Sequence, residues 1–534
     1  MKKFAFVAAL SVCAVTLISL APAQARPDES KKIAPSINRF QVQAAFERTP
    51  EQMDAFEATY AAPGKREVPF RPTMDAVKYA QLKRAAELAP RMASRPGALA
   101  PNSPLAAVST KFPGATECDG PGGCWIPPDV AGSIGKSQFV SVNNNVFEVR
   151  SRGGLLLQTK SLNGLFGYAT QSMFDPRVQY DEEYQRWIVT ADAFAESSTV
   201  QILGIAISKT NSATGSWYIY LVNVNGIGGT GSFYDFPMLG ISQDAILFTA
   251  NVFLPNNGFQ GSSLFAVAKA RLYNGFGFGV PLWRGLAATL EPAHQNLTDQ
   301  NSYSWLAAAP GGSGAIDMYA LQSASDPTFQ ALFGPFGVTN VPAYTFPPSA
   351  PQPAACGGVT LDTSDNRFQN QGTQNGDVYY QVHTVANGSF SEPRYYVITG
   401  LLSFAPTVNT ANDVFASLSS WDFNPSVASD PGGHFGLTWS VTDPNNGVLP
   451  SEHFTDNNGG SPGGVSGINV FTSASCQNDG GGNPQRWGDY SQVSIDPGTG
   501  PFSNTNTKIF WIDNETVLSG NPGFWSTEIA KINY

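Results

Sequence analysis

From about residue 111 onward, apolar and polar positions alternate in short runs. Examples are Phe139-Val140-Ser141-Val142, Ile202-Leu203-Gly204-Ile205-Ala206-Ile207 and Val378-Tyr379-Tyr380-Gln381-Val382, parted by Gly, Asn and Pro. A period of two with turn-formers between runs predicts β-strands. Before residue 111 the pattern differs. Helix-like spacing runs around Phe40 to Tyr60 and Met74 to Ala93, broken by Pro63, Pro69 and Pro72 and followed by a Pro-rich stretch from Arg95 to Pro104. The expectation is an all-β domain over 106–534, carrying an N-terminal helical and Pro-rich extension over 26–105 that hangs on a linker.

A short signature recurs through the β region, in which an Asp introduces a buried run that often contains Pro. It appears at Asp129-Val130, Asp175-Pro176-Arg177, Asp235-Phe236-Pro237, Asp365-Asn366-Arg367, Asp422-Phe423-Asn424-Pro425 and Asp489-Tyr490. The interval from Asp235 to Asp365 is about twice the others, which places a degenerate copy near Asp299, before Tyr303-Ser304-Trp305-Leu306. Seven copies at a mean spacing of roughly 60 residues predict a seven-bladed β-propeller, with six or eight blades as alternatives and a β-helix or paired sandwiches as rivals. The last copy has room for three strands. A strand around Ala106 to Phe112 is therefore expected to complete the final sheet and close the ring.

Residues 1–25 read as a signal peptide: Lys2 and Lys3, an apolar run from Phe4 to Leu20, and the small-x-small site Ala23-Gln24-Ala25. An extracellular or periplasmic location follows as an expectation. Loss of that leader removes Cys13 and leaves Cys118, Cys124, Cys356 and Cys476, which suits two disulfides. Of the three pairings, Cys118 with Cys124 is favoured because Asp119-Gly120-Pro121-Gly122-Gly123 turns tightly, leaving Cys356 for Cys476. No C-x-x-C or H-E-x-x-H spacing supports zinc.

Only 13% of the residues are charged and the net charge is −10. Residues 26–110 hold 13 Lys or Arg against 9 Asp or Glu, and residues 111–534 hold 16 against 32. So acidic a β domain argues against nucleic acid and anionic membranes as partners. No internal stretch approaches a membrane span. A monomer with an extracellular glycan or protein ligand is expected.

The series Pro127-Pro128-Asp129-x-x-Gly132-x-x-Gly135, Phe174-Asp175-Pro176-Arg177-Val178-x-Tyr180-Asp181, Gly215-Ser216-Trp217-Tyr218 and Arg486-Trp487-Gly488-Asp489-Tyr490-Ser491 resembles a group of secreted bacterial propeller proteins, loosely called sialidase-like. The resemblance covers about residues 125–534. It implies a propeller and an extracellular setting, not a reaction. Sialidases carry Asp-box turns and an arginine trio that grips a carboxylate. No strict Asp box occurs, because Ala213 stands where its Asp would be.

Candidate chemistry gathers at the signature. Arg177, Arg367 and Arg486 each lie beside an Asp, and i, i+2 residues of a strand point together, so each Arg is expected to neutralise its neighbour, with an anionic ligand as the alternative. Asp129, Asp175, Asp235, Asp365, Asp422 and Asp489 either cap local turns or ring one mouth of the channel, where they could hold Ca²⁺ or a cationic or polyhydroxyl ligand. Gly459-Gly460-Ser461-Pro462-Gly463 matches G-x-S-x-G without the strand and helix of a nucleophile elbow. The functional expectation is a secreted binding or adhesion module. The alternative is an exo-acting, sialidase-like glycosidase with its site in the funnel, so the sequence leaves open whether the chain is an enzyme.

Overall fold

The computed structural model describes residues 24–95, 106–118, 120–194, 196–311, 314–457, 466–505, 508–519 and 523–533. The signal-peptide run and Gly459–Gly463 lie outside them. Strand pairing among the described residues gives antiparallel units of four or five strands in chain order, two of which join into one ten-stranded sheet, with two short two-stranded pairs besides. The larger units begin, innermost strand first, with Ala131–Ile134, Met173–Asp181, Phe233–Ile241, Glu291–Pro292, Thr373–Asn375, Trp421–Ser429 and Gln492–Ile495. His294–Gln295 links the third and fifth sheets by parallel pairing. The innermost strands touch in succession, the fourth reaching the fifth through His294–Gln295, and the seventh touches the first. The chain folds as a β-propeller.

The last sheet is closed as its length required. Gln492–Ile495, Ile509–Thr516 and Ser526–Asn533 come from the C-terminus, and Ala107–Thr116 pairs along Ser526–Asn533 as the fourth strand. Closure removes the free edges at which sheets aggregate.

Apolar clusters fill the gaps between adjacent sheets, which is why whole strands such as Met173–Asp181 are buried on both faces. Phe147, Trp187 and Trp217 pack between the first and second sheets, and Leu247, Trp283 and Leu306 between the third and fourth. Phe454 meets Phe510 between the sixth and seventh. Nine of the ten tryptophans are under 2% exposed, so these rings are core and not sugar platforms. Both disulfides, Cys118–Cys124 and Cys356–Cys476, are present.

Residues 26–95 do not hang from the propeller as an appendage, and this corrects the sequence reading. Lys32–Ile33 pairs with the outer strand of the fourth sheet, Ile37–Val42 with that of the third, and Phe46–Arg48 with that of the second. The helical spacing around Phe40 thus yields partly to strands, because an open sheet edge offers hydrogen bonds that outweigh weak helix propensity. Helices remain at Pro50–Glu57, capped by Thr49 and Gln52, and at Ala76–Glu87, capped by Asp75. Met53 is fully buried among the first- and second-sheet residues.

Candidate functional site

Three of the innermost strands share a backbone device. Asp175, Phe236 and Asn424 have φ of 51°, 59° and 49°, each directly precedes Pro176, Pro237 or Pro425, and the strand register breaks at that point. Proline offers no N–H to the ladder, so the strand bulges there. The repeating unit is therefore this left-handed residue plus Pro, and not the Asp. Aligned on the Pro, Asp175 matches Phe236 and Asn424, while Asp235 falls at the position of Phe174 and Asp422 at that of Met173. The six acids are consequently not equivalent in the repeat, although Asp129, Asp175, Asp235 and Asp489 lie close enough to act on one another's carboxyls. The fourth innermost strand begins at Glu291-Pro292, which keeps the Pro without the left-handed residue, and not at the loop residue Asp299, whose carboxylate accepts from the Asn301 N–H at 2.7 Å.

Asp129 and Asp175 lie below the surface of the mouth. Asp129 accepts from the Asp489 N–H at 2.8 Å and from Asn144 Nδ2 at 2.6 Å. Burial, reinforced by the nearby Asp489 carboxylate, pushes it up to about 6. Asp175 accepts from Tyr490 Oη at 3.1 Å and from the Phe236 N–H at 3.3 Å, and burial raises its carboxyl far above the usual range. Asp422 stands apart, fully buried and bonded by Trp439 Nε1, Ser420 Oγ, the Ala416 N–H and Arg95.

The three arginines divide. Arg367 grips Asp365 with two prongs, Nε to Oδ1 at 2.9 Å and Nη2 to Oδ2 at 2.8 Å. Burial alone would raise that carboxyl, but Arg367 outweighs it and holds Asp365 below the usual carboxylate range. Arg486 pairs with Asp489 at 2.9 Å. Arg177 does not pair with Asp175. It donates to Pro237 O at 3.2 Å, Asn370 Oδ1 at 3.1 Å and Gln369 O at 2.8 Å, and its guanidinium lies 3.3 Å from the Tyr490 ring centre. The bulge at Asp175-Pro176 breaks the i, i+2 geometry that would have paired them.

These groups fill the channel. Phe236, Met238 and Tyr490 form an apolar plug, with the Phe236 and Tyr490 rings 4.6 Å apart. Below it Gln179 and Gln492 donate to Leu239 O and Val178 O across sheets, at 2.5 and 3.0 Å. Glu291, fully buried, faces the Arg177 and Arg367 charges, and burial raises its carboxyl well above the usual range. The Glu-Pro pair was its only sequence signal. At the far end His294 meets Glu182 at 3.2 Å and Gln179 at 3.1 Å around a cavity of about 30 Å³. Burial pulls this imidazole down, yet Glu182 holds it above its usual value.

Over the mouth runs the N-terminal segment. Arg71 reaches Asp235 at 3.0 Å, Arg486 donates to Val68 O at 2.8 Å, and the Phe70 ring lies 5.0 Å from the Arg367 guanidinium and 5.7 Å from that of Arg486. Farther along, Arg95 is buried between Glu392 at 2.8 Å and Asp422 at 3.0 Å.

Open space lies elsewhere. A cavity of about 280 Å³ beside the mouth is lined by Arg71, Phe174, Phe233, Gln201 and Glu196. Tyr168 Oη donates to Glu196, and burial pushes that carboxyl up to about 7. A larger cavity, of about 1190 Å³, runs between Asn38–Ala44, Lys269–Asn274 and Ser325–Thr328. Among the described residues no group of three His, Cys, Asp or Glu side chains is arranged to hold a metal, and no helix is long and apolar enough to cross a membrane.

No family model and no curated protein matches the chain. Solved structures similar to it include a Trypanosoma rangeli sialidase, at 9% identity and a TM-score of 0.35 over 80% of this chain and 60% of that one. An exo-β-1,3-galactanase from Phanerochaete chrysosporium matches at 11% identity and a TM-score of 0.30, over 80% and 99% of the two chains. A protein of unknown function from Dyadobacter fermentans matches at 10% and 0.35, over 67% and 93%. This chain spans about 60% of the sialidase's length. Likenesses at this level bear on neither reaction nor substrate.

Proposed function

We propose that this chain is an exported, seven-bladed binding or adhesion module whose glycan or protein ligand is held by surface cavities and loops and not inside the channel. One observation carries the reading. The channel that would form a funnel site is filled by Phe236, Met238 and Tyr490, with the donors of Arg177 spent on carbonyl and amide oxygens. A guanidinium so engaged has no fork left for an incoming carboxylate. The cavity of about 1190 Å³, with Arg39, Arg186 and Arg271 among its lining residues, offers an open surface for a ligand.

A second reading keeps a specific observation of its own. Glu196 lies beside an open cavity with its carboxyl near neutrality, which suits a general acid. That would make the chain an exo-acting carbohydrate enzyme with its site at the rim of the mouth.

A glycan array on the purified chain, run beside a screen of chromogenic glycosides, separates the two. Retention of a glycan without turnover supports the binding module. Turnover that Glu196→Gln abolishes would overturn it in favour of the enzyme.

A further inference from the structure

Residues 65–71 contact the mouth in the manner of a bound peptide. The backbone pairs with a short extended stretch: Arg66–Glu67 and Trp125–Ile126 form a parallel two-stranded pair of their own, through Arg66 N–H to Cys124 O at 3.0 Å and Val68 N–H to Ile126 O at 2.8 Å. Arg486 then donates to Val68 O at 2.8 Å. Main-chain bonds to an extended strand, with side chains seated in flanking pockets, are how an extended peptide is held.

Two side chains supply the specificity. Phe70 is half-buried, set against the guanidinium groups of Arg367 and Arg486 and the Tyr79 ring, which stands 5.2 Å away. Arg71 crosses the Phe233 ring at 4.9 Å, bonds Asn257 Oδ1 at 3.3 Å and ends on Asp235 at 3.0 Å. Its side chain is 12% exposed. The mouth thus presents cation faces for an aromatic ring beside an acid and an aromatic for a cation. Pro63, Pro69 and Pro72 keep the segment extended, so little ordering is needed for it to seat.

We infer that the channel mouth is a recognition site for an extended peptide carrying an aromatic residue followed by arginine, and that the chain's own Val68-Pro69-Phe70-Arg71 occupies it in cis. Tethering gives the cis segment a high local concentration, so a partner peptide must compete with it. The inference concerns a site apart from the large cavity and does not depend on where a glycan binds.

The test is a titration of full-length protein with a fluorescent peptide of residues 64–74. The Phe70→Ala/Arg71→Ala double variant, whose own segment grips weakly, is expected to bind this peptide at least tenfold more tightly than the parent. Adding Asp235→Asn is expected to weaken that binding about tenfold, and a peptide carrying both alanine changes is expected not to bind. Equal affinity of parent and double variant, or equal binding of the altered peptide, would overturn the inference. Should the double variant fail to fold, hydrogen exchange on Arg71→Gln serves instead. Faster exchange confined to residues 63–74, with Ala245–Phe253 still protected, supports an exchangeable segment. Unchanged exchange, or loss of protection in both regions together, contradicts it.

Discussion

Arg177 and Arg486 occupy comparable places beside a signature Asp, yet the interior of the channel and its mouth use them differently. Arg177 is 2% exposed and joins three sheets through neutral oxygens and the Tyr490 ring. Arg486 keeps to its neighbour Asp489, and both side chains stay about 10% exposed. Depth explains the difference. In the interior an arginine must satisfy every donor or bear the cost of desolvation, and Pro237 O at one proline bulge, with Gln369 O and Asn370 Oδ1, supplies the acceptors. At the mouth one carboxylate and one backbone carbonyl suffice, which leaves the guanidinium face for Phe70.

The largest effect is expected at the far end of the N-terminal segment, which behaves energetically like the interior. Arg95→Met strands Glu392 and Asp422 without a cation in a buried site and should cost about 4 kcal/mol. Urea unfolding checks it, and a loss under about 1 kcal/mol would return residues 26–95 to the status of an appendage. Arg367→Met comes next. It leaves the buried Asp365 unpaired, with an expected loss of about 3 kcal/mol, read from the same melts.

A third expectation concerns pH. Burial, with Ser141 opposing and Glu148 adding to it, pushes Asp513 up to about 8. A carboxyl whose folded value stands above its unfolded value of about 4 is protonated more readily in the native state, so stability is fully present below about pH 4 and falls as pH rises toward 8. Asp513→Asn should flatten that decline and recover on the order of 2 kcal/mol at pH 8. A parallel shift with unchanged slope would assign the pH dependence to other groups. Smallest is Arg486→Met. Water can reach Asp489 once the pair is broken, so about 1 kcal/mol is expected, together with weaker protection of residues 63–74 in hydrogen exchange.

The legible part of the fold was what local chemistry dictates. Alternation marked strands such as Gln138–Asn143, Ile202–Ser208 and Val378–Asn387, and the short final copy pointed to a closing strand near Ala107–Thr116. The repeat was visible through the wrong residue. Of the signature acids Asp129 and Asp175 take left-handed backbone, which short polar side chains tolerate, but Phe236 and Asn424 take it too, and only the Pro register shows the equivalence. That slip placed the start of the fourth innermost strand near Asp299 instead of at Glu291-Pro292 and aligned Asp422 with residues it does not match. The path of residues 26–95 was hidden for another reason. Their partners, such as Phe333 for Lys32 and Glu392 for Arg95, lie about 300 residues away in sequence, and a sheet edge in need of a strand leaves no mark on the segment that fills it.

The central claim is that the channel arginines hold the fold and do not grip a ligand, and Arg177→Met tests it most directly. Urea unfolding of this variant should show a lower midpoint at unchanged slope, a loss of at least about 2 kcal/mol, with glycan-array binding by the folded fraction as in the parent. Unchanged stability with binding abolished would contradict the claim and place a ligand in the channel.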